Sequence, residues 1–370
     1  MSKSVPVPFS EPPWLMGLPS PYYNDSHRKW QKTCRALVDR LTMPEGGDWE
    51  RAGDVPGKPT MFNHSQDSSL TDKTEDLFSK FAEANFLIPN LSAPLPVKWL
   101  HKVGIKELPG GLKVEDFDYL HTLIYTDEMA RVGSLGPGGA VTTGMAFGVP
   151  PILKFGSHEL QERFIPDLLL GRKRICIAIT EPSAGSDVAN IATTATKTPD
   201  GKHFIVNGTK KWITNGLWSH YASMTVRTGG PGPGGLSMLV VPLLNTPGVS
   251  MRRIRVGGQS AAGTTFIELD DVKVPVENLI GQEGMGMKYG AYLSIHHSFN
   301  LSPGPKLTPH SSSNAKLQPR TPHNLHLRKP PLPRRHLLCI RLLSQARSLR
   351  KTPHGPTRCT PSSRKMWRRS

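Results

Sequence analysis

Ala178-Ile179-Thr180-Glu181-Pro182-Ser183-Ala184-Gly185-Ser186-Asp187, followed some twenty residues later by Asn207-Gly208-Thr209-Lys210-Lys211-Trp212-Ile213-Thr214-Asn215, decides how this chain is read. The first segment is a strand that runs into a tight loop crowded with hydroxyls, exposed amides and a flexible glycine. Such a loop can hold a polar heteroaromatic edge or a phosphate through its backbone N–H groups. In the second, strand alternation places Thr214 on the same face as Trp212. An aromatic wall with a hydroxyl donor beside it suits a flat heteroaromatic ring. A solvated turn next to an ordinary core tryptophan fits the same residues.

Outward from these segments the chain divides by period. After residue 174, Ile175, Ile177 and Ile179 alternate with small residues. Thr194–Thr198, a Pro199-Asp200-Gly201 turn and His203–Val206 read as a hairpin. Asn207-Gly208 is a second turn signal leading into Lys211–Thr214. Further strands fit Ser237–Leu243, Val249–Val256 and Thr264–Val274, beyond a Gly/Pro loop at Gly229–Gly235. Six or seven short strands without a βαβ rhythm describe a β-sandwich or barrel and disfavour a Rossmann site. The preceding region is helical. Asp72 with Glu75 is a capping signal for a stripe through Leu77, Phe78, Phe81, Ala82 and Ile88. Phe117, Leu120 and Ile124 mark a helix over 116–131. Ser157 caps another helix that Pro166 breaks or restarts and Gly171 ends. The fold class expected is α+β: an irregular arm (1–69), an all-α domain (70–173), an all-β domain (174–283) and a basic tail (284–370). Within the arm, residues 1–21 read as extended and 42–70 as a loop or irregular wrap.

The net charge of +17 belongs to that tail. All 29 Asp and Glu lie at or before Glu283, against 29 of the 46 Lys and Arg, so the first 283 residues are neutral. An acid-free run of 87 residues has a chance of about 10⁻⁵ at ordinary composition, and the tail is expected to be disordered. Cys34, Cys176, Cys339 and Cys359 show no CxxC spacing, which points to a reducing compartment and no disulfide framework. No metal-ligand spacing stands out. No apolar run is long enough for a transmembrane helix, and no secretory, transit or peroxisomal signal is visible. An intracellular, soluble protein is expected, its compartment open among cytoplasm, mitochondrion and peroxisome.

The pair TEPxAGSD and NGxKxWITNG resembles the signature of the flavin-dependent acyl-CoA dehydrogenase family. Pro150–Gly171 is similar to that family's helix before its first strand, and Phe266–Gly286 to its exit from the β domain. The resemblance covers roughly residues 70–289. It implies FAD as cofactor and an acyl-CoA substrate, with Ile177, Ala178, Ile179 and Thr180 among the flavin-contacting residues. Thr180 would bond the pyrimidine side of the ring. Trp212 would pack on it, with Ile213 beside it and Thr214 donating toward the reactive nitrogen. Ser186 matches a residue of the flavin loop near the pantetheine of acyl-CoA. Glu181, although acidic and near the site, is structural in the family pattern.

The resemblance also implies a carboxylate base, because the α-proton must be removed as a β-hydride leaves for the flavin. The family takes that base, and most of its homo-oligomer contacts, from a C-terminal helical bundle. Here the stretch after Glu283 contains no Asp or Glu, so no catalytic residue is assigned and a truncated chain with weak or absent FAD retention is expected. An out-of-frame or retained-intron origin of residues from about 290 onward would account for the break. The electron acceptor, by resemblance, is an electron-transfer flavoprotein or dioxygen. The alternative is a non-enzymatic relative whose basic tail binds nucleic acid or another polyanion through phosphate contacts.

Overall fold

A computed structural model describes residues 12–53 and 77–290, all within the first of two units, 1–306 and 307–370, into which the chain divides. Helix α1 (Asp25–Leu41) starts in a capping box: the Asn24 side chain accepts from the His27 amide, and the His27 ring accepts the Asn24 N–H. Its buried stripe is Trp30, Cys34 and Val38, spaced by four. This 17-residue helix lies in the segment expected to be an irregular arm. That expectation is corrected, since one narrow stripe among charged neighbours suffices when Trp30 is fully buried. Helix α2 (Gly46–Ala52) corrects the loop expected over 42–70 and stops on left-handed Gly53.

Helix α3 (Leu77–Glu83) buries Leu77, Phe78 and Phe81 as expected. Its Asp72–Glu75 cap lies outside the described residues, and Ile88 belongs to a separate short turn. After α4 (Val97–Lys102) comes a small antiparallel pair, β1 (Glu107–Leu108) and β2 (Leu112–Lys113). Helix α5 (Tyr119–Ala130) is capped by Asp118, whose carboxylate accepts the Leu120 and His121 amides. Helix α6 (Leu135–Thr143) passes through a π-turn at Gly144–Gly148 into α7 (Val149–Phe155). Ser157 caps α8 (His158–Leu169), which runs on through Pro166 instead of breaking there. The ring falls one turn from the end, where the Pro166 carbonyl still accepts the Leu170 N–H.

The β domain is one curled seven-stranded sheet. Its strands are β3 (Ile175–Ala178), β4 (Thr194–Lys197), β5 (His203–Ile213), β6 (Tyr221–Arg227), β7 (Leu236–Pro242), β8 (Val249–Arg253) and β9 (Thr265–Pro275). The order is β3-β6-β4-β5-β9-β8, with β7 also paired to β6. β3 and β6 run parallel; the β4–β5, β5–β9, β6–β7 and β8–β9 pairs are antiparallel. Asn207-Gly208 is not a turn. It is a bulge inside β5, where the register with β9 shifts between Val206 and Gly208.

Strand alternation joins the two parts of the unit. Ile175 of β3 and Met238 and Val240 of β7 pack in the core that includes Trp30, Phe81, Leu100 and Ile165 of the helical region. Their neighbours Cys176, Ala178, Leu239 and Val241 face a second core, with Phe204, Val206, Met224 and Ile267. Both faces of β3 and β7 are therefore covered, and the period-2 pattern gives way to a continuous apolar run in β7. No helix among the described residues is long and apolar enough to cross a membrane.

Candidate functional site

Among the described residues, strand β3 pairs with β6 alone, so one of its edges is open to other partners. The π-turn covers the first half of that edge by close backbone approach. A Cβ on Gly144 would stand 2.1 Å from the Ile175 carbonyl oxygen, and one on Gly148 would stand 3.1 Å from that of Cys176. Only glycine permits this contact. Beyond it, the continuation of the edge through Ile177, Ile179 and Thr180 is half-buried.

Opposite this edge, β5 is bulged a second time between Lys210 and Ile213. Trp212 sits in the bulge at φ +65° with 47% of its surface exposed, and the Lys211 ammonium lies 4.6 Å from its ring centroid. A bulky residue in the left-handed region costs about 1–3 kcal/mol and persists where the surroundings over-determine it. The bulge also ends simple alternation, so the sharing of one strand face by Trp212 and Thr214 is corrected. Thr214 lies past the end of β5, and its methyl is 3.5 Å from where a Cβ on Gly139 of α6 would be. Ile213 between them is buried.

Two hydrogen bonds tie the segments together. The Lys211 amide donates to the Thr180 carbonyl at 2.9 Å, and the Asn215 side-chain amide donates to the Ile175 carbonyl at 3.2 Å. Thr180 is thus tied to the residue beside Trp212, and Thr214 adjoins the residue tied to β3. Ile177 packs against the helical core and Ile179 against Ala184, Ile191 and Leu236. Among the described residues, the Thr180 and Thr214 hydroxyls take no hydrogen bond from the protein. Ala178 is fully buried in the second core, so its side chain faces away from this edge. Ser186 is exposed at the far end of the loop, beside the Asp187–Asn190 turn, and no hydrogen bond among the described residues joins it to Trp212 or Thr214.

Beneath the loop lies a buried ion pair. Lys210 Nζ is 2.8 Å from Glu181 Oε1 and donates also to the carbonyls of Thr225 (2.7 Å) and Ile179 (3.1 Å). The Glu181 carboxylate accepts the Ala192 and Thr193 amides and the Thr193 hydroxyl as well. Burial pushes Lys210 down to about 8, against the opposing pull of Glu181. Burial raises Glu181, but the Lys210 charge and the hydrogen bonds outweigh it and leave the carboxyl below its usual range. Glu181 is thus fully engaged, and no free base stands here. Lys210 was not singled out in the sequence. Its signal was a lysine at a buried strand position, two residues before a tryptophan.

Among the described residues, one other cluster has metal-ligand chemistry: His27, Asp118 and His121, with potential ligand atoms within 4.8 Å. Its hydrogen bonds do not fit a cation. His27 Nδ1 accepts the Asn24 N–H, so the proton rests on Nε2, which faces Asp118 at 3.0 Å and has no lone pair to give. Cys34 and Cys176 are buried, and burial pushes the Cys176 thiol up to about 12. Residues 284–290 are described, with Tyr289 buried and stacked on Phe155, so the start of the disordered tail expected at 284 is corrected. Cys339, Cys359 and residues 291–370 lie outside the described residues.

Comparison with known proteins bears on the fold and the family. Residues 100–172 match the acyl-CoA dehydrogenase N-terminal domain, and residues 176–272 match the acyl-CoA dehydrogenase middle domain. The acyl-CoA dehydrogenase apdG of Emericella nidulans is 61% identical over 288 residues, 78% of this chain and 61% of the relative. The structure of an acyl-CoA dehydrogenase from Geobacillus kaustophilus superposes with TM-score 0.59 at 29% identity, over 76% of this chain and 65% of that one. An acyl-CoA dehydrogenase from Bacillus anthracis, complexed with FAD, shares the fold with TM-score 0.60 at 23% identity, over 78% of this chain and 44% of that one. The chain therefore spans about three fifths of the length of the curated relative. Over its helical and β-sheet regions, this chain belongs to the acyl-CoA dehydrogenase family.

Proposed function

We propose that the β3 edge, the β5 bulge and the Thr214 end of β5 form the protein face of an FAD site, and that the chain derives from an enzyme that dehydrogenates acyl-CoA thioesters. Trp212 carries this reading. Nothing in the packing of the described core calls for a half-exposed indole in the left-handed region, whereas a flat ring stacked on it would use that indole. The Thr180 and Thr214 hydroxyls, half-buried and without protein partners among the described residues, suit the polar edge of an isoalloxazine. Ile177, Ala178 and Ile179 would contribute backbone and floor, and Ile213 would set the spacing between Trp212 and Thr214.

A cavity of about 280 Å³ between α5 and α6, lined by Tyr125, Met129, Leu135, Gly139 and Thr142, adjoins Thr214 through Gly139 and supports an acyl group beside the ring. Ser186 is the candidate contact for the pantetheine arm. The chemistry supplied by bound FAD would be acceptance of a hydride from the acyl β-carbon. This chain's residues would bind and orient; a carboxylate base is not found among residues 284–370, which contain no Asp or Glu. Of residues 1–370, flavin binding without turnover is expected.

Titration of the full chain with FAD, followed by quenching of flavin and tryptophan fluorescence, tests the site. Micromolar binding that Trp212→Ala weakens by at least tenfold is expected, with no bleaching of the flavin on adding acyl-CoA. Absence of quenching at FAD concentrations well above micromolar would overturn the site. Bleaching by acyl-CoA would overturn the missing base.

A further inference from the structure

We infer that Lys210 is a positioning residue: with Glu181 it presets the backbone of Ile179–Glu181 that the flavin ring would meet. This rests on the FAD site proposed above, and goes beyond it by naming the device that fixes the loop.

The bonds leave the loop little freedom on its protein side. All three N–H donors of Lys210 are used, on Ile179 O, Thr225 O and Glu181 Oε1. The lysine side chain has no exposed surface. The next carbonyl, of Thr180, is taken by the Lys211 amide. Glu181 and Ala184 close the turn on each other, with the Glu181 amide donating to the Ala184 carbonyl at 2.9 Å. The Glu181 carboxylate then ties this turn to Ala192 and Thr193, on the return to β4. Two successive carbonyls of the ring-facing segment are thus drawn toward β5 and β6, and the Thr180 hydroxyl is left unused. A buried ion pair gives little net stability, because desolvation offsets the attraction, and well-packed apolar replacements are often neutral. What it does supply is direction. Three acceptors converge on one ammonium only if Ile179, Glu181 and Thr225 hold one arrangement.

The test compares the full chain with a Lys210→Met/Glu181→Gln double variant, which removes both charges and so leaves neither stranded. Thermal melting, FAD affinity with the visible circular dichroism of bound flavin, and amide hydrogen exchange are measured on both. The expected result is a melting temperature close to the parent's, FAD affinity at least tenfold weaker, altered flavin dichroism, and amides of residues 179–187 exchanging at least tenfold faster while β7 and β9 are unchanged. A pair that served only general stability would lower the melting temperature and leave the affinity and dichroism of the folded protein as they were, and that result overturns the proposal. Unchanged loop exchange overturns it too. If the parent chain itself fails to bind FAD, the proposed site falls. The exchange measurement then decides the role of the Lys210–Glu181 pair alone, accelerated exchange confined to 179–187 upholding it as a loop-positioning device.

Discussion

Asn207 of β5 and Asp271 of β9 exchange two hydrogen bonds, Asn207 Nδ2 to Asp271 Oδ1 at 2.9 Å and the Asp271 amide to Asn207 Oδ1 at 2.7 Å. This pair closes the gap left in the ladder by the first bulge, and Asp271 itself takes a left-handed φ of +51°. The bulge turns β5 so that its second half reaches the loop after β3. Gly208 has φ +142°, and a Cβ there would stand 2.7 Å from Thr193 Cα. Thr193 is one of the Glu181 partners, so the clash would reach the ion pair. Gly208→Ala is expected to cost about 2 kcal/mol or more, through both strain and overlap with backbone. Urea unfolding checks this, and a loss below ~0.5 kcal/mol would show that the bulge relaxes freely.

Trp212 offers the opposite sign. Asparagine tolerates the left-handed region far better than tryptophan, and the indole is half-exposed. Trp212→Asn is therefore expected to leave stability unchanged or raise it by about 0.5–1 kcal/mol. Flavin binding should fall in the same variant. Denaturant midpoints paired with FAD titration separate the two effects. A marked loss of stability would mean that the indole is a packing residue, and the argument from strain to ligand would fail.

How far the sequence carried depended on whether a residue's role was local. Ser157, Asp118 and Gly171 act on their own helix, and Ser157 and Gly171 were legible as cap and stop. Strand β6 carries no alternation signal because Tyr-Ala-Ser-Met-Thr-Val-Arg buries Ser223 and Thr225 beside apolar neighbours. The two halves of β5 looked like a hairpin because Asn-Gly is the strongest short turn signal. Asp271, 64 positions away, decides that it is a bulge. The motif residues Thr180, Trp212 and Thr214 could be named from the sequence. That a buried lysine fixes the carbonyl before Thr180 could not, since the three acceptors of Lys210 come from two other segments of the chain.

Glu128 ties α5 to α1. Its carboxylate is buried and accepts from Arg35 (2.9 and 3.0 Å) and from Gln31 (2.7 Å), both on α1. Removing it would leave the buried Gln31 amide without its partner and the Arg35 guanidinium without its fork. Glu128→Ala is expected to cost about 2 kcal/mol, below the usual loss for a buried pair because Arg35 is about a third exposed and can turn to water. Arg35→Ala should cost nearly as much, and the double variant much less than the sum. A double-mutant cycle measured by thermal unfolding checks the coupling, and additive losses would mean that the two side chains act separately.

His220 makes stability depend on pH. Its ring Nδ1 accepts the Arg174 backbone N–H at 3.1 Å, joining the start of β3 to the start of β6. Protonation would place a donor against that donor. Burial, with the charges of Lys173 and Arg174 added, pushes its pKa from the ordinary 6.5 down to about 4. Between those values the unfolded chain binds a proton that the folded chain does not, so stability is present in full above pH 6.5 and lost progressively as pH falls toward 4. His27, lowered first by burial, acts in the same direction from the same upper limit. In His220→Asn an amide oxygen can take the Arg174 N–H without titrating. The variant should therefore lose less melting temperature than the parent on going from about pH 7 to about pH 4.5. Parallel melting curves for the two proteins across that range would remove His220 from the account.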